Sequence, residues 1–266
     1  PLLLPRVKNS PAKALRSILQ SPGVHLGPAC FDGLSAKLVE KAGFSYCFTS
    51  GFSISAARLG LPDGGLISYG EMVDQAQLIS QAVSIPVIGD GDNGYGNAMN
   101  VKRTIKGFIR AGLAGILLED QVSPKACGHT RGRKVVSREE AVMRIKAAIH
   151  AREEAGSDIV IVARTDARQA VSLDEALWRT KAFADAGADV LFIDALASTE
   201  EMKAFCAIAP GVPKLDALNA IKGGRIPSPE SIPTFEEIKE IVGFSAYYDE
   251  EKRYDTSRQS FLLFAP

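Results

Sequence analysis

The chain has 266 residues, of which 46% are hydrophobic and 23% are charged, a composition typical of one globular domain with a large core rather than of a disordered chain. Its 31 basic residues balance its 31 acidic residues, so the net charge of zero provides no electrostatic footprint for nucleic acid or an anionic membrane. No apolar run reaches the roughly 20 residues that a membrane helix needs. We therefore expect a small-molecule ligand, with neither nucleic acid nor membrane as a partner.

The cysteines and the N-terminal segment bear on the compartment. The four cysteines are scattered without paired spacing, which argues against a disulfide framework or a structural zinc site and favours a reducing compartment. Residues 1–20 contain four basic residues and no acid, a pattern typical of an organelle transit peptide. Ser10-Pro11 before an amphipathic run equally indicates an ordinary first helix. Both interpretations stay open, so we expect the protein in the cytoplasm or the plastid stroma.

Short apolar runs alternate with amphipathic stretches of helical period along most of the chain. In chain order, the predicted strands are residues 25–30, 46–51, 86–92, 115–120, 159–166 and 190–195. Ser137 and Ser172 begin two of the intervening helices, because each is followed three residues later by a glutamate, and Gly187 ends the second helix. This alternation predicts a parallel sheet with helices packed against it.

The ends of the predicted strands distinguish a barrel from an open sheet. No Gly-x-Gly-x-x-Gly motif follows the first strand, which removes the main sequence support for a dinucleotide-binding sheet. Polar residues instead follow many different strands: Ser50, Asp90, Asp92, Glu119, Arg164, Asp166 and Asp194. A barrel brings such ends together on one rim. We therefore predict an α/β fold of the (β/α)8 TIM-barrel type.

The C-terminal part does not complete this pattern. We predict a single barrel domain over residues 1–266, yet no seventh or eighth strand is recognisable, which indicates either a missing segment near Lys214–Leu215 or a variant of the fold. From residue 234 to 266 the pattern predicts a tail of one or two amphipathic helices. Its aromatic residues include Tyr247, Tyr248, Tyr254 and Phe261. We expect this tail to pack on a partner subunit.

Two aspartates predict a metal site. Asp90 and Asp92 stand two residues apart at the end of a strand, so their side chains point to the same side, and Glu119 ends the next strand. Mg²⁺ usually takes one or two protein carboxylates and completes its shell with water and substrate oxygens. The alternative is a loop with helix-capping aspartates. The carboxylate on the neighbouring strand favours the metal.

Cys127 is the candidate reactive cysteine. Its neighbours Lys125, Arg131 and Arg133 form a cationic setting, which favours a reactive thiol. No nucleophile-histidine-acid signature supports acyl transfer, so we prefer a role in proton transfer. The other three cysteines, Cys30, Cys47 and Cys206, fit the usual buried position of a small apolar residue.

Two further residues have a structural alternative. Arg164 ends an apolar strand, so its guanidinium binds either a structural carboxylate such as Asp166 or Asp194 or an anionic substrate, and its rim position favours the substrate. Asp63 lies in a Pro-Asp-Gly turn, where aspartate is a common turn residue. The sequence alone gives Asp63 no functional role.

Four motifs occur in one order: "GLPD" (60–63), "GDGDNGYGN" (89–97), "LLEDQ" with "PKACGH" (117–129), and "VARTDAR" (162–168). In this order and spacing, the chain resembles the isocitrate lyase / phosphoenolpyruvate mutase superfamily from about Gly27 to Lys214. The Lys-x-Cys-Gly-His loop resembles the branch of carbon-carbon lyases. The longer stretch around it is most similar to plant petal-death-protein-like enzymes, which act on 2-alkylmalates and oxaloacetate and are often named carboxyvinyl-carboxyphosphonate phosphorylmutases.

The resemblance implies a role for each site residue. The metal would be Mg²⁺, or Mn²⁺, bound directly by Asp90 and through water by Asp92 and Glu119. The residues implied to bind the two carboxylates of the substrate are Tyr46, Ser50 and Gly51 for one, and Gly128 and His129 for the other. The catalytic residues are taken to be Cys127, Arg164, Lys125 and Asp63: Cys127 exchanges a proton with the released carbon, Arg164 stabilises charge on the substrate oxygen and Asp63 lies near the metal-bound end.

The implied activity is Mg²⁺-dependent cleavage of a carbon-carbon bond in a small 2-oxo or 2-hydroxy dicarboxylate, through an enolate. The implied assembly is a homotetramer that exchanges a C-terminal helix between subunits. Two departures leave alternatives open: Asp194-Ala195-Leu196 replaces the Glu-Ala-Pro of family lyases, and the Asn-Met-x-Glu-Gly segment of strand seven is absent. The alternatives are a phosphonate mutase and a catalytically inactive barrel.

Overall fold

Eight strands form a closed barrel in the computed structural model, which describes residues 10–127, 132–217 and 260–264. The strands are β1 (Val24–Cys30), β2 (Cys47–Thr49), β3 (Val87–Asp90), β4 (Gly115–Glu119), β5 (Val160–Thr165), β6 (Val190–Ile193), β7 (Lys214–Ala217) and β8 (Ser260–Phe264). The first seven run parallel, each beside its neighbour in sequence. The predicted TIM-type barrel is thus confirmed, with the exception that β8 runs antiparallel to both β7 and β1.

Helices surround the parallel strands. Those in the described residues are α1 (Pro11–Gln20), α2 (Gly33–Lys41), α3 (Gly51–Leu59), α4 (Tyr69–Ala82), α5 (Ala98–Arg110), α6 (Arg138–Glu154), α7 (Ala167–Ala170), α8 (Leu173–Asp185) and α9 (Thr199–Ala207). Ser137 and Ser172 cap α6 and α8 as predicted, and Gly187 adopts φ +95° just after α8. None of these described helices has the length and apolar character needed to cross a membrane.

The N-terminal stretch begins as a helix within the described residues. The Ser10 hydroxyl accepts a hydrogen bond from the backbone N–H of Lys13 (3.2 Å), and Pro11 occupies the first helical position. Arg16 of α1 then contacts Asp189 at the start of β6, at 3.0 Å. The helix therefore covers the amino-terminal end of the barrel, as the predicted helix start requires; residues 1–9 lie outside the described residues.

The C-terminal strands correct the sequence analysis. β7 begins at Lys214, where no strand was predicted and a segment was thought to be missing, and Lys214 pairs with Leu191 of β6. β8 occupies residues 260–264 of the tail, so the predicted helix is wrong for those five residues. β7 is short and half polar, and the apolar run of β8 has no alternation that separates strand from helix. Residues 234–259 of the tail lie outside the described residues.

Two hydrophobic clusters lie on opposite faces of the sheet. The inner cluster fills the barrel and includes Phe48, Leu117 and Phe192, together with Leu15 of α1. The outer cluster joins the opposite faces of the same strands to the surrounding helices, as expected because successive side chains of a strand alternate between faces. With the interior packed and α1 below it, the carboxyl ends of the strands are the face open to a ligand.

The cysteines follow the prediction in part. Cys30 and Cys47 are buried in the outer cluster, as predicted, but Cys206 is exposed. Cys206 fails the prediction because it lies on α9, where Phe205 is the buried side chain and the neighbouring positions face outward. None of the four cysteines forms a disulfide bond.

Gly27 tests the packing inside the barrel. A Cβ atom at this position would overlap the aromatic ring of Tyr46, which is itself fully buried. We expect Gly27→Ala to lower the free energy of unfolding by about 1–3 kcal/mol through overpacking, measured by urea denaturation. Gly211→Ala is the control, because a Cβ there meets no atom within 4 Å. Equal stability of the two variants would contradict the packing described.

Candidate active site

The carboxylate of Asp90 is fixed at the end of β3. The backbone N–H of Gly51, the first residue of α3, donates to Asp90 Oδ2 (3.0 Å), and the N–H of Asp92 donates to Asp90 Oδ1 (3.0 Å). A Cβ on residue 51 would lie 2.6 Å from Asp90 Oδ2, so only glycine allows this approach. The position also places the acid at a helix N-terminus, where backbone N–H groups stabilise negative charge.

Lys125 joins two further acids to this group. Its ammonium lies 2.8 Å from Asp63 Oδ1 and also contacts Asp92 Oδ1, and all three side chains are at most 7% exposed. The Tyr95 hydroxyl donates to the second oxygen of Asp92 (3.1 Å). Burial alone would lower the pKa of Lys125, but the surrounding carboxylates, Asp92 foremost, offset it and raise that pKa well above its ordinary value. The structure thus brings Asp63 into the site, although its Pro-Asp-Gly turn alone indicated no functional role.

Glu119 and Arg164 meet at the ends of β4 and β5. Arg164 donates from Nε and Nη2 to the two oxygens of Asp166 (3.0 and 2.8 Å), and its Nε lies 3.5 Å from Glu119 Oε2. The other oxygen of Glu119 is buried without a hydrogen-bond partner among the described residues. Burial raises the pKa of Glu119 well above its ordinary value. The Glu119 carboxylate therefore has too few hydrogen-bond donors around it to compensate for its burial.

The site holds more buried negative charge than its cations offset. Burial, followed by the charge of Asp92, raises the pKa of Asp90 to about 6. Three buried acids, Asp63, Asp92 and Glu119, and the partly buried Asp90 lie around Lys125 and a part of Arg164, since Arg164 also binds Asp166. Oxygen donors with uncompensated charge are what a hard divalent cation requires.

The carboxylates of the site fit a cation that keeps several of its water ligands. Among the described residues, no group of three histidine, cysteine, aspartate or glutamate side chains is close enough to enclose a metal ion. Mg²⁺ commonly binds one or two carboxylates and keeps several water molecules. The orphaned oxygen of Glu119 and the raised pKa of Asp90 fit such a cation, with Asp90 as the direct ligand and the other carboxylates within reach of its water.

A network that the sequence analysis missed supports this site. Asp120 accepts hydrogen bonds from the Thr165 hydroxyl (2.6 Å), the Asp166 N–H (2.9 Å) and Arg179 Nη1 (3.0 Å). Because alternate residues of a strand face opposite sides, Glu119 points into the site while Asp120 points outward and orients the residues beside it. The adjacent acids Glu119 and Asp120 were the signal available in the sequence.

The environment of Arg133 differs from the one predicted from the sequence. The sequence placed it among the cations around Cys127, but its guanidinium is buried and its Nη1 contacts Asp166 and Asp194. Together with Arg164, it overcomes the effect of burial and lowers the pKa of Asp166. Lys125 is likewise paired with carboxylates. The predicted cationic setting of Cys127 is therefore wrong for these two residues, because acids that are distant in sequence neutralise them.

The loop that carries Cys127 is anchored at its base. Gln121 forms a β-bridge with Val135, and the Val122 N–H donates to the Lys134 carbonyl (3.0 Å). Cys127 is partly exposed at the end of this described stretch. The two residues predicted to bind the second carboxylate, Gly128 and His129, lie outside the described residues.

The predicted substrate-binding residues separate into two places. Ser50 and Gly51 lie at the carboxyl end of β2, beside Asp90. Tyr46 lies at the opposite end of that strand, fully buried, and donates its hydroxyl proton to the His25 carbonyl (3.1 Å). The structure therefore does not bring Tyr46 to the site, because its side chain fills the barrel interior.

The family follows from comparison with known proteins. The model of the family described as phosphoenolpyruvate phosphomutase matches residues 15–240. The chain belongs to this family. The predicted resemblance to the phosphoenolpyruvate mutase / isocitrate lyase superfamily is thereby confirmed, since a solved member of that superfamily, 2,3-dimethylmalate lyase, is also similar to it.

Similar members of the family have named activities. The chain is 44% identical over 219 residues to 2,3-dimethylmalate lyase of Eubacterium barkeri, covering 82% of the chain and 74% of that protein. It is 44% identical over 229 residues to the petal death protein of Dianthus caryophyllus, covering 85% and 69%. Proteins named as lyases are thus among the relatives of this chain.

Solved structures of the family share the fold. Oxaloacetate acetylhydrolase in complex with 3,3-difluorooxalacetate superimposes with a TM-score of 0.76 at 37% identity, covering 88% of this chain and 77% of that one. Phosphonopyruvate hydrolase in complex with oxalate and Mg²⁺ gives a TM-score of 0.71 at 29% identity, covering 88% and 95%. Both carbon-carbon and carbon-phosphorus chemistry therefore occur on barrels similar to this one.

The raised pKa of Asp90 gives a pH-dependent stability. In the metal-free protein, the folded state raises the pKa of this carboxyl group from 3.8 to about 6. Its ionisation therefore lowers the free energy of unfolding increasingly as the pH rises from 4 to 7. Asp90→Asn removes the charge. We expect this variant to gain stability relative to wild type as the pH rises. In EDTA, its unfolding free energy minus that of wild type should be about 2 kcal/mol higher at pH 7.5 than at pH 4.

Urea denaturation at the two pH values measures this difference. Asp74→Asn is the control, because the Asp74 side chain is 57% exposed and should show little pH dependence of this kind. A difference for Asp90→Asn that does not change with pH would show that the carboxylate is not held in an unfavourable electrostatic environment.

Proposed function

We propose that the protein is a Mg²⁺-dependent enzyme that cleaves a carbon-carbon bond in a small 2-oxo or 2-hydroxy dicarboxylate, as a 2-alkylmalate lyase or an oxaloacetate hydrolase does. The observation that carries the proposal is the set of buried, undercompensated acids next to Arg164, at the rim where the Cys127 loop is anchored. The names of the similar dimethylmalate lyase and oxaloacetate acetylhydrolase support the substrate class.

The cation would be held by Asp90, with Asp92 and Glu119 reaching it through water. When bound, it supplies Lewis-acid stabilisation of negative charge on the substrate oxygens. The complex of the similar phosphonopyruvate hydrolase with oxalate and Mg²⁺ supports the choice of metal, and Mn²⁺ is the alternative with the same preference for oxygen.

The residues of the chain then position the substrate and its charge. Ser50, through its hydroxyl, and the N-terminus of α3, which begins at Gly51, favour the binding of one substrate carboxylate there. Arg164 is held rigidly by Asp166 at 2.8 and 3.0 Å, so its guanidinium is ready for the charge that develops on the oxygen. A fixed donor of this kind stabilises a transition state by several kcal/mol because it does not reorganise during the reaction.

Bond cleavage and proton transfer complete the cycle. The bond between C2 and C3 breaks, and its electron pair moves to C3, next to the remote carboxylate, giving an enolate. The Cys127 thiol donates a proton to that carbon. The proton lost from the 2-hydroxyl group, or from the hydrate of a 2-oxo acid, balances the one donated. The thiol is therefore restored at the end of each turnover.

Lys125 and Asp63 would hold the loop over the metal end. The ion pair between them is buried at 2.8 Å, and the Lys125 backbone lies close to Gly65 of the loop that contains Asp63. Burying charged partners in this way keeps water out and strengthens the electrostatic interactions inside. Lys125 thus joins the Cys127 loop to the acids.

A phosphonate mutase is the second candidate. The description of the family and the similar phosphonopyruvate hydrolase support it, and the same acids would serve a phosphorus-carbon bond. It differs in needing no thiol as proton donor. A catalytically inactive barrel remains the third alternative, because the segment Asn-Met-x-Glu-Gly is absent from the sequence.

We also propose a homo-oligomeric assembly, as a tetramer, and a location in the plastid stroma or the cytoplasm. The plastid is supported by a chloroplastic relative, carboxyvinyl-carboxyphosphonate phosphorylmutase of Arabidopsis thaliana, which is 40% identical over 229 residues, covering 84% of the chain and 65% of that protein.

Metal removal tests the proposed reaction. We expect turnover of oxaloacetate or of 2-alkylmalates to be lost in excess EDTA and restored by Mg²⁺, because the cation would stabilise negative charge on the substrate oxygens at the 2-oxo or 2-hydroxy end. Mg²⁺ should also raise the thermal unfolding midpoint, since a ligand that binds only the folded state stabilises it. Turnover that survives complete removal of metal would contradict the proposal.

Cys127→Ser separates the two activities. A serine hydroxyl is a much weaker acid than a thiol, so we expect turnover of the dicarboxylate to fall by roughly 100-fold or more. Cys206→Ser, on α9 and exposed, should leave the rate unchanged. Phosphorus NMR with phosphonopyruvate tests the mutase: conversion of that compound at an equal rate by wild type and Cys127→Ser would favour the second candidate.

A further inference from the structure

Arg133 is buried at the carboxyl ends of β5 and β6 and uses only part of its guanidinium. The side chain is 1% exposed, and Nη1 contacts both Asp166 and Asp194. Its Nε and Nη2 are buried without a hydrogen-bond partner in the part of the chain that the structure describes. Buried donors without acceptors are unfavourable, so this edge of the guanidinium is suited to an anion.

The position of Arg133 is fixed from both sides. On its own segment, the Lys134 carbonyl accepts from the Val122 N–H (3.0 Å), and the Val136 N–H donates to the Asp120 carbonyl (2.9 Å). On the opposite side, the side chain of Asp120 holds the backbone of Asp166. The guanidinium is therefore preorganised, which lowers the entropy cost of binding a ligand.

The geometry of this edge favours a carboxylate. Nε and Nη2 form one of the edges through which arginine donates two parallel hydrogen bonds to a carboxylate, an arrangement that lysine cannot form. Asp166 and Asp194 are both served by Nη1, so neither occupies that edge. Neither acid that contacts Arg133 thus binds the edge formed by its Nε and Nη2.

Strand order separates the acids that Arg133 contacts from Asp90 and Glu119. Asp90 and Glu119 end β3 and β4, whereas Arg133 contacts acids that follow β5 and β6. Neighbouring strands lie about 4.8 Å apart. A dicarboxylate whose oxo-acid end lies at Asp90 would extend past Arg164 and direct its remote carboxylate towards Arg133.

We propose that Nε and Nη2 of Arg133 bind the substrate carboxylate that is remote from the cation, and that Arg133 thereby selects dicarboxylates over monocarboxylates. The inference rests on the proposed function and adds a specificity residue to it. A purely structural role predicts something different: Arg133 would only neutralise Asp166 and Asp194, and any cation at that position would serve equally.

Arg133→Lys distinguishes these roles because it retains the positive charge near both acids and removes the two-donor edge. The measurement is calorimetric titration in Mg²⁺ with two probes: oxalate, which has no remote carboxylate, and 3,3-difluorooxaloacetate, which has one. We expect the variant to bind 3,3-difluorooxaloacetate roughly 10- to 100-fold more weakly than wild type, as for a lost charged hydrogen bond, and to bind oxalate as wild type does.

Arg152→Lys is the matched control. Arg152 pairs with Asp189 and the Ile159 carbonyl at the amino end of β5, so both probes should bind this variant as they bind wild type. If Arg133→Lys does not fold, as judged by circular dichroism, Arg133→Gln replaces it, with the same expected ratio between the probes.

The outcomes separate the inference from the function on which it depends. If wild type binds neither probe in Mg²⁺, both are overturned. If wild type binds both probes while the Arg133 variant binds both equally well, or loses both equally, only the inference is overturned. Selective loss of 3,3-difluorooxaloacetate with retention of oxalate supports it.

Discussion

Uncompensated negative charge buried at the carboxyl ends of β3 and β4 is the constraint on which the site depends. Burying an unpaired carboxylate costs several kcal/mol, and here the barrel brings several together around one ammonium, that of Lys125. The folded chain tolerates this through backbone donors at the start of α3, and by raising the pKa of Asp90 to about 6. The proposed cation would offset this unfavourable charge.

The second layer of the site keeps its cations in place. Asp120 faces away from the pocket and fixes the turn after β5, while Asp166 fixes Arg164. Neither Asp120 nor Asp166 needs to touch a substrate in order to affect the reaction. Such supporting contacts determine how closely a guanidinium is aligned with the charge that forms during turnover, so the chemistry of the rim relies on residues in the adjoining turns.

The sequence predicted the parallel strands and their order well, because each has an apolar run next to a capped helix. The clustering of acids at neighbouring strand ends was also recoverable, since Asp90 and Glu119 end β3 and β4 and Asp92 follows β3 closely. Strand ends converge in a barrel, so adjacency in space followed from adjacency of strands. These predictions needed only local patterns and one rule of topology.

The remaining features depend on contacts between residues distant in sequence. Arg133 was read as a neighbour of Cys127, whereas it pairs with acids 33 and 61 residues away. The family resemblance implied that Tyr46 binds substrate together with Ser50, but Tyr46 precedes β2 and Ser50 follows it, so the two residues lie at opposite ends of the barrel. The sequence of β7 is too short to show a distinctive period, and that of β8 lacks the alternation of apolar and polar residues that is typical of strands. β8 is recognisable as a strand only through its pairing with β7 and β1.

The reversed direction of β8 has a consequence for how the molecule can be labelled. Phe264 pairs with Val24 at the beginning of β1 and with Lys214 at the beginning of β7, whereas Ser260 pairs with Pro28 near the opposite end. The last strand thus enters at the acid-bearing face and leaves beside α1. A fluorophore attached at residue 264 would be separated from the carboxylates by the full height of the barrel. Its signal would report whether β8 pairs with β7 and β1 to close the barrel, without disturbing the candidate active site.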